Sequence, residues 1–226
     1  MVSPVRIEAV TFDVGGTLIE PWPSVGAVYA EVASRFGVRA DPDRLNRQFA
    51  AAWRARRGFD YSQAAWLDLV ACSFAGIIEP LPTGFFDAVY AQFARPEVWR
   101  IFEDVVPTLE RLRRQGVRVG IVSNWDERLE PLLEALNLRH CFEVVAVSFR
   151  VGHTKPAPEI FQYAAQRFGL PPAAMLHLGD SQLEDVVGAR SAGMQARLIH
   201  RGEAPAAYER LRTLGDLFMD LGPAEG

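Results

Sequence analysis

Four short segments of the chain carry side chains of the kinds that move phosphoryl groups. They are Asp13-Val14-Gly15-Gly16-Thr17-Leu18, Ser123-Asn124-Trp125-Asp126, Gly152-His153-Thr154-Lys155-Pro156 and Gly179-Asp180-Ser181-Gln182-Leu183-Glu184-Asp185. Singly, each is an ordinary turn sequence. At the ends of neighbouring parallel strands they would gather a carboxylate, a hydroxyl, an ammonium and two further carboxylates in one crevice. That inventory suits phosphoryl transfer: an anionic nucleophile, donors for phosphate oxygens, and hard oxygen ligands for Mg²⁺. The ammonium stands out. Of 24 basic residues, 23 are arginine and only Lys155 is lysine. A compact ammonium and a planar guanidinium are not interchangeable in a tight anion site, so the one lysine asks for a chemical reason.

The elements that would position these segments are legible from periodicity. Residues 6–12 read as a β-branched strand ending at Asp13. After Pro21-Trp22-Pro23 the pattern turns helical as far as about residue 95. Four apolar stripes follow one another: Val25, Val28, Val32, Phe36; then Leu45, Phe49, Trp53 behind an expected Asp43 cap; then Trp66, Leu69, Val70, Phe74, Ile77; then Phe85, Phe86, Val89, Phe93. Beyond residue 102, helices near 104–115 (ending at Gly116), 127–137, 157–168 (ending at Gly169) and 183–192 alternate with the strands 117–122, 144–147, 175–178 and 196–199. Strands separated by helices predict an α/β fold with a doubly wound parallel sheet, whose ligands sit at the carboxyl ends of the strands. The expected division is a core over residues 1–19 and 100–226 and an all-helical insert over 20–99.

Composition narrows the function classes. With 49% hydrophobic and 23% charged residues the chain is globular in character. A net charge of −4 gives no general attraction to nucleic acid or anionic lipid. No apolar run approaches the roughly 18 residues of a spanning helix. Cys72 and Cys141 have neither metal spacing nor a disulfide framework. The N-terminus lacks the long apolar region of a secretory signal, so a cytoplasmic protein is expected, as a monomer or homodimer acting on a small metabolite.

In order and spacing the four segments resemble the motifs of the haloacid dehalogenase superfamily, and the helical insert resembles that superfamily's first-position cap. The stretch Val119–Ile199 is similar to the branch related to rhythmically expressed gene products. The resemblance implies a Rossmann-like core and assigns roles. Asp13 would be the nucleophile that becomes an aspartyl phosphate. Gly16, Thr17, Ser123, Asn124 and Lys155 would hold the phosphoryl group, with Lys155 neutralising Asp13 as well. Mg²⁺ would be bound by Asp13, the Gly15 carbonyl and Asp180, supported by Asp185 with Glu184 beside it. The substrate would be a small phosphorylated metabolite.

One position departs from the pattern. Phosphatases that this chain resembles usually carry a second aspartate, the general acid and base, where this chain has Gly15. Loss of such a group typically costs 10²–10⁴-fold, roughly 3–5 kcal/mol of barrier. The expectation is therefore a Mg²⁺-dependent hydrolase of phosphate esters or anhydrides that is slow or selective for good leaving groups. Asp126, His153 and Glu20 are the candidates to replace the acid. The alternatives are a 2-haloacid dehalogenase-type hydrolase and a non-catalytic binding protein. Cleavage of phosphonates through a cap lysine is disfavoured, because the insert has no lysine.

Overall fold

A computed structural model describes residues 6–56, 58–202 and 210–218. They form two compact units. One gathers the described residues up to Ile19, those of Ile101–Glu127, and those from Asn137 onward; the other holds Glu20–Arg100 and Arg128–Leu136.

The first unit is built on a parallel sheet. Its strands, with two further ones (β2 and β3) described below, are β1 (Ala9–Phe12), β4 (Arg118–Ser123), β5 (Val144–Val147), β6 (Met175–Gly179), β7 (Gln195–Ile199) and β8 (Arg210–Leu211), in the order β5-β4-β1-β6-β7-β8. All pairings within it are parallel. β1 lies between β4 and β6 and is buried along its whole length, which accounts for its unbroken apolar and β-branched character. The strand order reverses beside β1, so Asp13 leaves the sheet at the switch point where such folds bind ligands.

Helices in this unit are α5 (Val105–Arg114), α7 (Ser148–Val151), α8 (Pro158–Phe168) and α9 (Gly188–Ser191), numbered along the whole chain with those of the second unit. α8 turns Ile160, Phe161, Ala164, Ala165 and Phe168 onto a core that includes Ala9, Val122, Ala146, Met175 and Ala196 from the sheet. It begins with Pro158 in its first turn and ends at Gly169 in the left-handed conformation, as the sequence predicts. The helix expected near 183–192 is in fact a short π-helical turn, Gln182–Val187, running into α9.

The second unit is helical: α1 (Val25–Arg35), α2 (Pro42–Ala55), α3 (Gln63–Ser73), α4 (Phe85–Gln92) and α6 (Leu129–Ala135). The predicted stripes meet in a core of Tyr29, Val32, Leu45, Val70, Phe74, Phe85 and Val89. Tyr29 stacks on Phe74, while Trp53 lies between Phe49 and Trp66 in two further stacks. The aromatic rings each bury a large apolar area, which helps so few helices hold together. The α2 cap is Asp41, whose carboxylate accepts from the amides of Asp43 and Arg44, with Pro42 opening the helix. Asp43, expected as the cap, instead lies in the first turn. Two of the strands that periodicity missed, β2 (Ile19–Pro21) and β3 (Trp99–Ile101), form a separate two-stranded sheet. At three residues apiece they are too short to show an alternating pattern.

Candidate active site

Asp13 follows directly on β1, its amide donating to the Leu178 carbonyl of β6 at 2.8 Å. That bond carries the parallel ladder one residue past the strand and fixes where the carboxylate starts. Two donors converge on its Oδ1: the Ser123 hydroxyl at 2.8 Å and Lys155 Nζ at 2.7 Å. Ser123 is the last residue of β4, the neighbour of β1, and the register, with Ile121 opposite Phe12, ends it one position beyond Asp13. Lys155 Nζ also donates to Asp185 Oδ1 at 2.5 Å. The one lysine of the chain is thus buried between two carboxylates.

Its backbone is held as firmly as its ammonium. The Lys155 amide donates to Asn124 Oδ1 at 2.7 Å, and Asn124 Nδ2 donates to the Lys155 carbonyl at 3.0 Å. Asn124, read from the sequence as a phosphate ligand beside Ser123, therefore spends its amide on the lysine loop and on Glu184 Oε2, 3.3 Å away.

Asp180 and Asp185 come from the loop after β6. Ser181 caps the turn by accepting from the Glu184 amide, and its own amide donates to Asp185 Oδ2 at 2.9 Å. Two glycines make the approach possible. A Cβ on Gly179 would lie 2.0 Å from the Asp185 carboxyl carbon, and one on Gly16 would lie 2.3 Å from Asp180 Oδ2. Gly16 also has φ +75°, a conformation that side chains disfavour. The Gly16 amide donates to the Ile19 carbonyl and the Thr17 amide to that of Val14, so both serve the loop itself. The Thr17 side chain is fully buried.

Carboxylate oxygens of Asp13, Asp180 and Asp185 lie within 4.8 Å of one another. Three carboxylates against one ammonium leave two excess negative charges, and the titration of the groups reflects that crowding. Asp13 is raised by burial and by Asp185, with Lys155 opposing. Asp180 is pushed up to about 7 by desolvation and by the like charges of Asp13 and Asp185. Asp180 also keeps a solvent-exposed edge. Asp185 is held well below the usual carboxylate range: burial opposes ionisation, but Lys155 and His177 outweigh it. Lys155 is raised despite its own burial, through Asp13 and Asp185. An all-oxygen donor set with unneutralised charge fits a hard divalent cation.

The three candidates for the missing acid are engaged differently. Glu20 accepts from Arg100 Nε at 2.9 Å in the helical unit. His153 is exposed, whereas Asp126 is buried and engaged. The residue nearest to the missing Gly15 side chain is Trp125: a Cβ there would lie 3.3 Å from Trp125 Cζ3. Sequence reasoning also passed over His177 and Thr11, a hydrogen-bonded pair behind Asp185. A histidine inside the apolar run Met175-Leu176-His177-Leu178 was the signal available.

A strand-end aspartate, a serine, a buried lysine and an acidic loop thus meet on one parallel sheet, and comparison with known proteins shows a hydrolase. A family model for haloacid dehalogenase-like hydrolases matches residues 7–193, and the chain belongs to that family. It is 35% identical over 216 residues to haloacid dehalogenase-like hydrolase domain-containing protein 3 of Mus musculus, covering 90% of this chain and 86% of the relative. It is 29% identical over 223 residues to the rhythmically expressed gene 2 protein of Drosophila melanogaster, covering 88% and 85%. Among solved structures, a HAD phosphatase from Thermococcus onnurineus superposes with a TM-score of 0.69 at 29% identity, covering 96% of this chain and 98% of that one. No helix of the described residues is long and apolar enough to cross a membrane.

Proposed function

We propose that the protein is a Mg²⁺-dependent hydrolase of phosphate esters or anhydrides on small metabolites, acting through an aspartyl phosphate on Asp13. The observation that carries this reading is Lys155, buried between Asp13 and Asp185 with Ser123 on the same Asp13 oxygen. Such a set holds a carboxylate in place and supplies positive charge where a phosphoryl group would arrive.

Asp13 attacks phosphorus, a new Asp13 O–P bond forms, and the bond to the leaving oxygen breaks with its electron pair. Ser123 and Lys155 donate to the phosphoryl oxygens as charge builds on them. Water then attacks the aspartyl phosphate, releasing inorganic phosphate and restoring the carboxylate. Asp13, Asp180 and the Gly15 carbonyl would hold Mg²⁺, with Asp185 behind them. The ion would supply charge neutralisation for the incoming phosphate among these carboxylates.

Gly15 offers no side chain to protonate the leaving oxygen, so substrates whose leaving groups depart as stable anions are favoured: acyl phosphates, anhydrides and aryl phosphates. The test is turnover of acetyl, nitrophenyl and alkyl phosphates with and without Mg²⁺, beside a 2-haloacid control. Mg²⁺-dependent phosphate release that Asp13→Asn abolishes supports the reading. Halide release, or no turnover on any phosphate, refutes it.

A further inference from the structure

His177 is fully buried and the chemistry above makes no use of it. It stands in β6, a strand whose residues are all buried, where an unpartnered polar ring would be costly. Both ring nitrogens have partners. Nδ1 lies 2.9 Å from the hydroxyl of Thr11, its register neighbour on β1, and Nε2 lies 3.0 Å from Asp185 Oδ1. Phe161 packs edge-on against the ring at 5.1 Å between centroids.

The partners fix the proton positions. An ionised carboxylate only accepts, and Lys155 Nζ already donates to the same Asp185 oxygen, so Nε2 carries the hydrogen and donates. In the neutral ring Nδ1 is an acceptor, and the Thr11 hydroxyl donates to it. The result is an ordered chain: Thr11 to His177, His177 to Asp185, and Lys155 bridging Asp185 to Asp13. Asp185 lies in a short π-helical turn; its Oδ2 accepts from the Ser181 amide at 2.9 Å, and its Oδ1 is held by Lys155 and His177.

We propose that His177 is a positioning residue, whose Nε2–H orients the Asp185 carboxylate so that Lys155 Nζ stays on Asp13. Its catalytic consequence rests on the function proposed above; the placement of Lys155 does not. The chain behaves as the outer partners of a metal-site ligand do, where loss of the partner costs on the order of 10–100-fold.

The test compares His177→Gln, His177→Asn and His177→Phe in the full chain. A glutamine amide reaches about as far as Nε2 and keeps a donor for Asp185. An asparagine amide reaches only about as far as Nδ1 and can bond Thr11 alone. Phenylalanine keeps the ring packing and loses both bonds. With nitrophenyl phosphate and Mg²⁺, kcat should fall at least ~10-fold in the Asn and Phe variants with KM within ~3-fold, and stay within ~3-fold of the parent in the Gln variant. A second readout needs neither metal nor turnover. With ε-¹⁵N-lysine the protein has one labelled ammonium, Lys155, whose resonance should be unchanged in the Gln variant and shifted or broadened in the Asn variant. Equal loss of kcat in Gln and Asn, or an unmoved Lys155 signal in Asn, overturns the proposal and leaves His177 a packing residue. Should the Phe variant fail to fold, the Gln and Asn pair decides alone. Should the parent release no phosphate from any ester, the proposed function fails while the Lys155 signal still decides the placement.

Discussion

Restoring a carboxylate at position 15 should change which leaving groups the protein tolerates, and the structure sets how much. Gly15→Asp meets no backbone obstacle, since Gly15 is not among the residues with positive φ. Its obstacle is Trp125. An added Cβ lies 3.3 Å from Trp125 Cζ3 and 3.9 Å from Cη2, so the indole must give by a few tenths of an ångström before the carboxylate is placed. The Trp125 backbone is pinned, its amide donating to Ser148 Oγ and its carbonyl accepting from the same hydroxyl, both at 3.0 Å, which leaves side-chain rotation as the way to yield. A working general acid and base is worth roughly 10²–10⁴-fold. Off-rotamer strain of about 0.5–1.5 kcal/mol removes up to about tenfold of that, so a gain near the lower bound is expected for alkyl phosphates. Aryl and acyl phosphates should change far less, because their leaving groups need no proton. The assay is log(kcat/KM) against leaving-group pKa for a series of aryl and alkyl phosphates. The parent should show a steep negative slope, G15D a shallower one, and G15D with Trp125→Ala a shallower one still. A parent that already cleaves alkyl phosphates as fast as aryl ones would refute the reasoning. Asp126→Asn, His153→Gln and Glu20→Gln would then locate the proton donor. A slope unchanged in the double variant, with the fold intact by circular dichroism, would refute it equally.

Asp13→Asn should abolish phosphate release while leaving the circular dichroism and melting profile essentially intact, because the amide nearly matches the carboxylate in shape; retained turnover would end the covalent mechanism. Lys155→Arg should lower kcat at least ~10-fold, about 1.4 kcal/mol of barrier, since a planar fork cannot sit between Asp13 and Asp185 as a point charge does. Lys155→Met removes the cation that lies between two buried carboxylates and should cost about 3–5 kcal/mol of stability in the metal-free protein, read by urea denaturation, with the loss smaller at low pH where Asp13 and Asp185 protonate. Asn124→Ala removes both hydrogen bonds to the Lys155 backbone and should cost about 1–3 kcal/mol, seen as lower stability together with a fall in kcat; a variant that keeps both would show that the lysine loop holds itself.

Much of the fold was legible because its signals are local. The apolar stripes of α1 to α4 repeat at the helical period, Gly116 and Gly169 follow helix ends, and the Val144–Val147 strand was read with its observed bounds. Misses fall where local signals compete or are too short. Asp41 and Asp43 both precede helical residues, and Pro42 decides for Asp41 by taking the first helical position. β2, β3 and β8 have two or three residues each, and the turn after Asp180 has a period no amphipathic pattern displays.

For the site itself, the sequence by itself determined the chemical inventory and its location: a strand-end aspartate, one lysine, a serine and an acidic loop, each following a strand of a parallel sheet. That much follows because strand ends and residue types are properties of short segments. Which groups face one another was decided only by tertiary structure. Asn124 serves the Lys155 backbone because the loops after β4 and β5 meet, and Thr11 reaches His177, 166 residues away, because β1 and β6 pair in parallel with those two residues in register. Gly15 opens towards Trp125 for the same kind of reason: their loops follow adjacent strands. Hydrogen bonds are directional over about 3 Å, whereas a sequence specifies order along the chain, and only the sheet's register converts one into the other.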